Sequence, residues 1–126
     1  MATDKKQVYV VDDDISVCRA LSYMLTEHGF NVNIFNSAEE FINAVPKDTP
    51  GCLILDIHMP EFGGWETQRH LLISASERPI IIISADNDET FKQKALDACA
   101  VGYLQKPFND RELIDLIDVA FTKEAK

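Results

Sequence analysis

At 126 residues the chain has the length of one domain with its own core, and its 46% apolar and 26% charged residues are the usage of a folded globular protein, not of a disordered one. A formal charge of −9, from 21 acidic against 12 basic residues, opposes the attraction to phosphate on which nucleic-acid binding rests, so no direct nucleic-acid binding by this chain is expected.

The first apolar run, "VYVV" at 8–11, is apolar at every position and reads as a strand covered on both faces; it stops against Asp12, Asp13 and Asp14. Residues 15–28 have helical spacing, with Ile15, Cys18, Leu21, Met24 and Leu25 on one face and "HG" at 28–29 as the stop. A second strand, "VNIF" at 32–35, leads into "SAEEFINAV", where Ser37 stands three residues before Glu40 as in a capping box. The third strand, "CLIL" at 52–55, runs into Asp56, and the spacing over 64–75 predicts a helix. "PIIIIS" at 79–84 is a fourth, doubly covered strand ending on Ser84, and a further helix is expected over 87–99. "VGYL" at 101–104 is the fifth strand, with Lys106 just beyond it. The closing segment, "NDRELIDLIDVAF", repeats the capping signature with Asn109 and Glu112 and carries Leu113, Ile114, Leu116, Ile117 and Phe121 on one face.

Strict alternation of strand and helix predicts an α/β fold, because parallel neighbours need helical crossovers: a doubly wound five-stranded parallel sheet, a flavodoxin-like (βα)5 three-layer sandwich in the common strand order 2-1-3-4-5. Residues 1–126 read as a single domain with its core over about 7–121 and a polar tail, 122–126, that suits the start of a linker. Cys18, Cys52 and Cys99 lie far apart without CxxC spacing and are most simply small core residues, which suits a reducing compartment. No apolar run approaches the roughly 18 residues of a membrane span, and "MATDKKQ" lacks the apolar core of a signal peptide, so a cytoplasmic, membrane-independent protein is expected.

In open parallel sheets the functional crevice lies beyond the carboxyl ends of the strands. Here those ends carry Asp12, Asp13 and Asp14, then Asp56, Ser84 and Lys106. With strand 1 beside strand 3, three carboxylates converge. Two unit charges about 4 Å apart repel by roughly 4 kcal/mol at an effective dielectric near 20, so the cluster must hold protons or bind a cation. An all-oxygen site selects a hard ion, and Mg2+ suits one that keeps waters and a place for a phosphate oxygen. Lys106 adds a point charge and Ser84 a hydroxyl donor. A metal-bound carboxylate flanked by these groups makes chemical sense as a nucleophile toward phosphorus, yielding an aspartyl phosphate by positioning and charge neutralisation. Asp14, at a helix start, is most simply a cap.

Four stretches, "VVDDD", "LDIHMPEFGG", "IIISA" and "YLQKPF", in this order and spacing, resemble the receiver domain of two-component response regulators, the CheY-like fold. Together with "FNSAEEFI" the chain is similar to the FixJ group of these regulators. The resemblance implies that Asp12 and Asp13 hold Mg2+, for which Mn2+ or Ca2+ substitutes in vitro, and that Asp56 is the phospho-acceptor and a further ligand. It implies that the backbone carbonyl of His58 completes the metal shell, that Ser84 and Lys106 contact the phosphoryl group, and that Lys106–Pro107 is a cis peptide. Tyr103 falls on the aromatic switch position, and Gly64 on the glycine by which the chain leaves the site loop.

A sensor histidine kinase or phosphotransfer protein is the implied phosphodonor. Regulation of a partner or an output domain, with binding of a partner or phosphorylation-dependent homodimerisation through the face of helix 4, strand 5 and helix 5, is the expected readout, and the domain is a signalling switch, not an enzyme acting on other molecules. His58 and Asp86 are expected to flank the attacking water and tune hydrolysis; Trp65 reads as packing or a partner-facing aromatic, and His28 and His70 as helix-surface or helix-end residues. Two rivals share the fold or the chemistry. A flavodoxin-like cofactor binder needs a first loop that cradles phosphate, which Asp12 to Asp14 would repel. A phosphatase of the haloacid-dehalogenase type needs a second acid two residues after the nucleophile, where this chain has His58.

Overall fold

The computed structural model describes residues 6–46, 49–56, 78–85, 93 and 100–124. Five strands, β1 (Gln7–Val11), β2 (Asn31–Phe35), β3 (Cys52–Asp56), β4 (Ile80–Ser84) and β5 (Gly102–Gln105), form one parallel sheet in the order β2-β1-β3-β4-β5. The described helices are α1 (Ile15–Glu27), α2 (Ala38–Ala44) and α3 (Asp110–Glu124). The expected helices over 64–75 and 87–99, with Gly64, Trp65, His70, Asp86 and Cys99, lie outside the described residues, as does His58.

The uninterrupted apolar runs are explained by helices on both faces. Val8, Val10, Cys52, Ile54, Ile81 and Ile83 face a layer built by Cys18, Leu21 and Leu25 of α1 and Leu113, Ile114, Ile117 and Ala120 of α3. The alternate residues Tyr9, Val11, Leu53, Leu55, Ile80 and Ile82 face the opposite way, where Phe41 of α2 is buried against them. β3 and β4 are buried at every position, whereas the edge strand β2 is only partly covered: Asn31, Asn33 and Ile34 are exposed, and the two asparagines bond Gln7 of β1.

The helix ends follow from local chemistry. Asp14 caps α1, its Oδ1 accepting from the N–H groups of Ser16 and Val17 at 2.9 and 3.4 Å, and Gly29 takes the positive φ of 90° that ends the helix. The Asn109–Glu112 capping box of α3 is reciprocal: the Glu112 N–H donates to Asn109 Oδ1, and the Asn109 N–H to Glu112 Oε1. In α2 the Ser37 hydroxyl accepts from the Glu40 N–H as expected, but the Glu40 carboxylate reaches past Ser37 to the N–H of Asn36. Ile15, expected on the buried face of α1, is 51% exposed. At 3.6 residues per turn it lies roughly 60° around the helix from Cys18, on the side away from Leu21 and Leu25, so the stripe turns past it.

Arg78, which the sequence pattern did not single out, is a buried staple below β4. Its Nε donates to the Thr49 carbonyl at 2.7 Å and its Nη2 to the Pro46 carbonyl, while the guanidinium lies over the rings of Tyr9 and Phe41. It fastens the α2–β3 connection at the end of the sheet opposite Asp56.

Candidate functional site

Register brings the acidic strand ends together. Val8 to Val11 of β1 pair in step with Cys52 to Leu55 of β3, so the next residue of each, Asp12 and Asp56, are neighbours beyond the last apolar rung. The Asp12 N–H still donates to the Phe35 carbonyl, at 3.1 Å, which extends β1 one residue past its strand bounds. Asp13 follows on the turn into α1 and is exposed, while Asp12 is 0% and Asp56 4% exposed. One carboxylate oxygen from each of Asp12, Asp13 and Asp56 lies within 4.8 Å of the others.

Lys106 enters from the far side of the sheet. β5 pairs with β4 through Gln105 opposite Ser84, and the Lys106 N–H donates to the Ser84 carbonyl at 2.7 Å. A cis peptide bond joins Lys106 to Pro107. The lysine Nζ then spans two acids, 2.9 Å from Asp12 Oδ2 and 3.3 Å from Asp56 Oδ2. Ser84 is buried at the carboxyl end of β4, on the same sheet edge. Tyr103 stands opposite Ile82, half-buried against the layer that holds Phe41.

Electrostatics follow from this burial. Desolvation pushes the Asp12 carboxyl from an ordinary 3.8 up to about 6, against the opposing pull of the Lys106 hydrogen bond and the Asp14 N–H, and the Asp56 charge adds to the rise. Burial also works against the Lys106 charge, but the Asp12 hydrogen bond and the two carboxylate charges outweigh it and leave the ammonium raised above its ordinary range. Burial, with the Asp12 charge, lifts the Cys18 thiol to about 11, so it stays protonated at neutral pH and serves as a donor.

The donor set fits a small hard divalent ion. It offers only oxygens, carries more negative charge than one lysine balances, and leaves Asp13 on the solvent side, where a metal can keep its waters. Beside Lys106 a cleft of about 590 Å³ opens between α1 and the segment after β5, walled by Val17, Ala20, Leu21, Met24, Pro107 and Phe108.

The structure therefore gathers Asp12, Asp13, Asp56, Ser84 and Lys106 at one sheet edge, with Asp14 apart as a helix cap. Sequence reasoning missed the two groups bonded to the Asp12 main chain, the Asn36 amide and the Cys18 thiol. No motif marks them, since each meets Asp12 only through the packing of α1 and β2 on β1.

Known proteins share the sequence pattern and the fold of this chain. The family model described as response regulator receiver domain matches residues 8–118. The chain is 42% identical over 113 residues to the response regulator protein TodT of Pseudomonas putida, covering 90% of this chain and 50% of that one. Among solved structures, the response regulator StyR superposes with a TM-score of 0.86 at 36% identity, over 96% of this chain and 61% of that one. The structure named FixJ-N superposes with a TM-score of 0.82 at 35% identity, over 94% of each chain. The chain spans about half the length of the curated relatives it matches.

Proposed function

The chain belongs to the response regulator receiver domains, signalling switches of two-component systems, and we propose that its phospho-acceptor is Asp56, charged in a Mg2+-dependent step by a sensor histidine kinase or phosphotransfer protein. The observation that carries this reading is the convergence of Asp12, Asp13 and Asp56 with Lys106 Nζ bridging the first and last. Receiver domains generally bind Mg2+, and the carboxylates of Asp12, Asp13 and Asp56, with the His58 carbonyl, are the ligands we assign. When bound, the ion neutralises the carboxylate repulsion and takes up charge on a phosphoryl oxygen.

This chain's residues do the rest. An Asp56 carboxylate oxygen forms the new bond to phosphorus while the bond from phosphorus to the donor nitrogen breaks, the electron pair leaving with that nitrogen. Lys106 swings from its two carboxylates to a phosphoryl oxygen, and the Ser84 hydroxyl donates to another. The modification adds a charge of roughly −1.5 to −2 to a packed site, and Ser84 and Tyr103 transmit it as a two-state shift. The readout face is helix 4, strand 5 and helix 5 of the family fold, serving a partner, a second copy of the chain or a further domain. The cleft beside Lys106 gives a donor protein an apolar surface to rest on while it reaches Asp56. We place the protein in the cytoplasm; no described helix is long and apolar enough to cross a membrane. Residues 1–126 serve as one receiver domain.

Incubation with acetyl phosphate and MgCl2, followed by intact mass and peptide mapping, tests the assignment. One phosphoryl adduct on the peptide containing Asp56, lost in Asp56→Asn and under EDTA, is expected. An adduct that survives Asp56→Asn refutes the acceptor.

A further inference from the structure

The end of β1 poses a problem of polar satisfaction. The carbonyl of Asp12 lies past the last rung shared with β2 and β3, in a buried setting, where an unpaired acceptor costs about 1–3 kcal/mol. Two side chains from different elements answer it. Asn36 Nδ2, on the turn between β2 and α2, donates at 3.3 Å, and Cys18 Sγ, on the inner face of α1, donates at 3.2 Å. The two donors are themselves 3.8 Å apart. The N–H of the same residue is held by the Phe35 carbonyl at 3.1 Å, so the main chain is fastened on both sides of the Asp12 Cα.

We propose that Asn36, seconded by Cys18, is a positioning residue of the carboxylate site: it fixes the Asp12–Asp13 peptide plane and thereby the points from which both carboxylates converge on Asp56. The peptide held by Asn36 joins the two acids, so a rotation of its plane changes ψ of Asp12 and φ of Asp13, re-aims the two side chains relative to each other and widens the oxygen set that now lies within 4.8 Å. Asn36 is neutral and bonds the main chain instead of the metal-facing oxygens, so its influence is geometric. It is also held in turn. Its N–H donates to Glu40 Oε1 at 3.0 Å, and the Glu40 N–H donates to Ser37 Oγ at 3.1 Å, which makes the first turn of α2 the support of the clamp. This explains why the Glu40 carboxylate reaches past the capping residue: its acceptor is used to seat Asn36.

The inference rests on reading the cluster as a divalent-cation site, and the test separates the two. Mn2+ binding to the 126-residue chain is titrated by electron paramagnetic resonance, with Mg2+ as competitor, alongside melting curves in EDTA. Wild type and the variants Asp12→Asn, Asn36→Ala, Asn36→Ser, Cys18→Ser and Cys18→Ala are compared. A single hydrogen bond's net worth sets the scale, so Asn36→Ala weakens binding of both ions about 3- to 10-fold, and Asn36→Ser, whose hydroxyl is too short to reach, does the same. Cys18→Ser keeps a donor and stays within about twofold of wild type, whereas Cys18→Ala weakens binding. Should Asn36→Ala not fold, Asn36→Ser carries the comparison. Asn36 variants with lowered melting temperature and metal affinity within about twofold of wild type would overturn the assignment and leave Asn36 a turn residue. A wild-type chain that binds neither ion, or binds them equally well as Asp12→Asn, overturns the metal reading itself.

Discussion

At the scale of single residues, the site is dominated by a carboxylate in a place where water cannot reach it. Asp12 has a folded-state pKa of about 6 against an ordinary 3.8, so between those values the folded chain holds more protons than the unfolded one. The sign follows directly: the contribution is fully present below about pH 4 and is lost as the pH rises through 6. It amounts to on the order of 3 kcal/mol across the window. Asp12→Asn keeps an oxygen for the Asp14 N–H, which donates to Asp12 Oδ1 at 2.9 Å, and removes the titration. Thermal melts of both proteins in EDTA from pH 4 to 7.5 should show the melting temperature of the variant minus that of wild type rising with pH. A difference that stays flat or falls would mean that the Lys106 pair, and not desolvation, governs the carboxylate.

At the scale of elements, the connections between strands and helices carry strain and caps that set where each side chain arrives. Gly51, just before β3, has φ of +146°, and a Cβ there would come 2.6 Å from Tyr9 Cε2 and 3.1 Å from the Gln7 carbonyl. Gly29, at the end of α1, has φ of +90° with nothing within 4 Å of a Cβ. Gly51→Ala should therefore cost more than Gly29→Ala, about 2–4 kcal/mol against about 1–2 kcal/mol, because it adds a clash with a buried ring to the backbone penalty. Denaturant unfolding of the two variants checks the order, and equal losses would contradict it. Elements also account for what local pattern foretold and what it could not. The caps at Asp14, Ser37 and Asn109 were visible because a cap acts within four residues. The exposure of Ile15 was not, because a residue about 60° off the stripe of Cys18, Leu21 and Leu25 stands at its margin, where the spacing does not say whether a neighbour covers it.

At the scale of the whole molecule, a ligand that binds only the folded chain stabilises it by mass action. MgCl2 at tenfold over its dissociation constant should add about 1.4 kcal/mol, a rise of roughly 4–8 °C in melting temperature, reversed by EDTA and absent in Asp12→Asn. Calorimetric scans with and without the ion decide it; an equal rise in Asp12→Asn would point to binding elsewhere.

The alternation of strands and helices, the residues at the strand ends and the cap at Asp14 are legible along the chain, because strand period and helix capping are local and crossover handedness is nearly universal. The order 2-1-3-4-5, which brings Asp12, Asp13, Asp56, Ser84 and Lys106 to one sheet edge, is expected only as the common arrangement, and the observed sheet has it. Packing in three dimensions settles that Lys106 bridges Asp12 and Asp56, that Arg78 closes the far end over Tyr9 and Phe41, and that Asn36 and Cys18 hold the Asp12 carbonyl. Those contacts join residues with no common period or motif, and whether two such groups meet is settled by how helices and loops pack on the sheet.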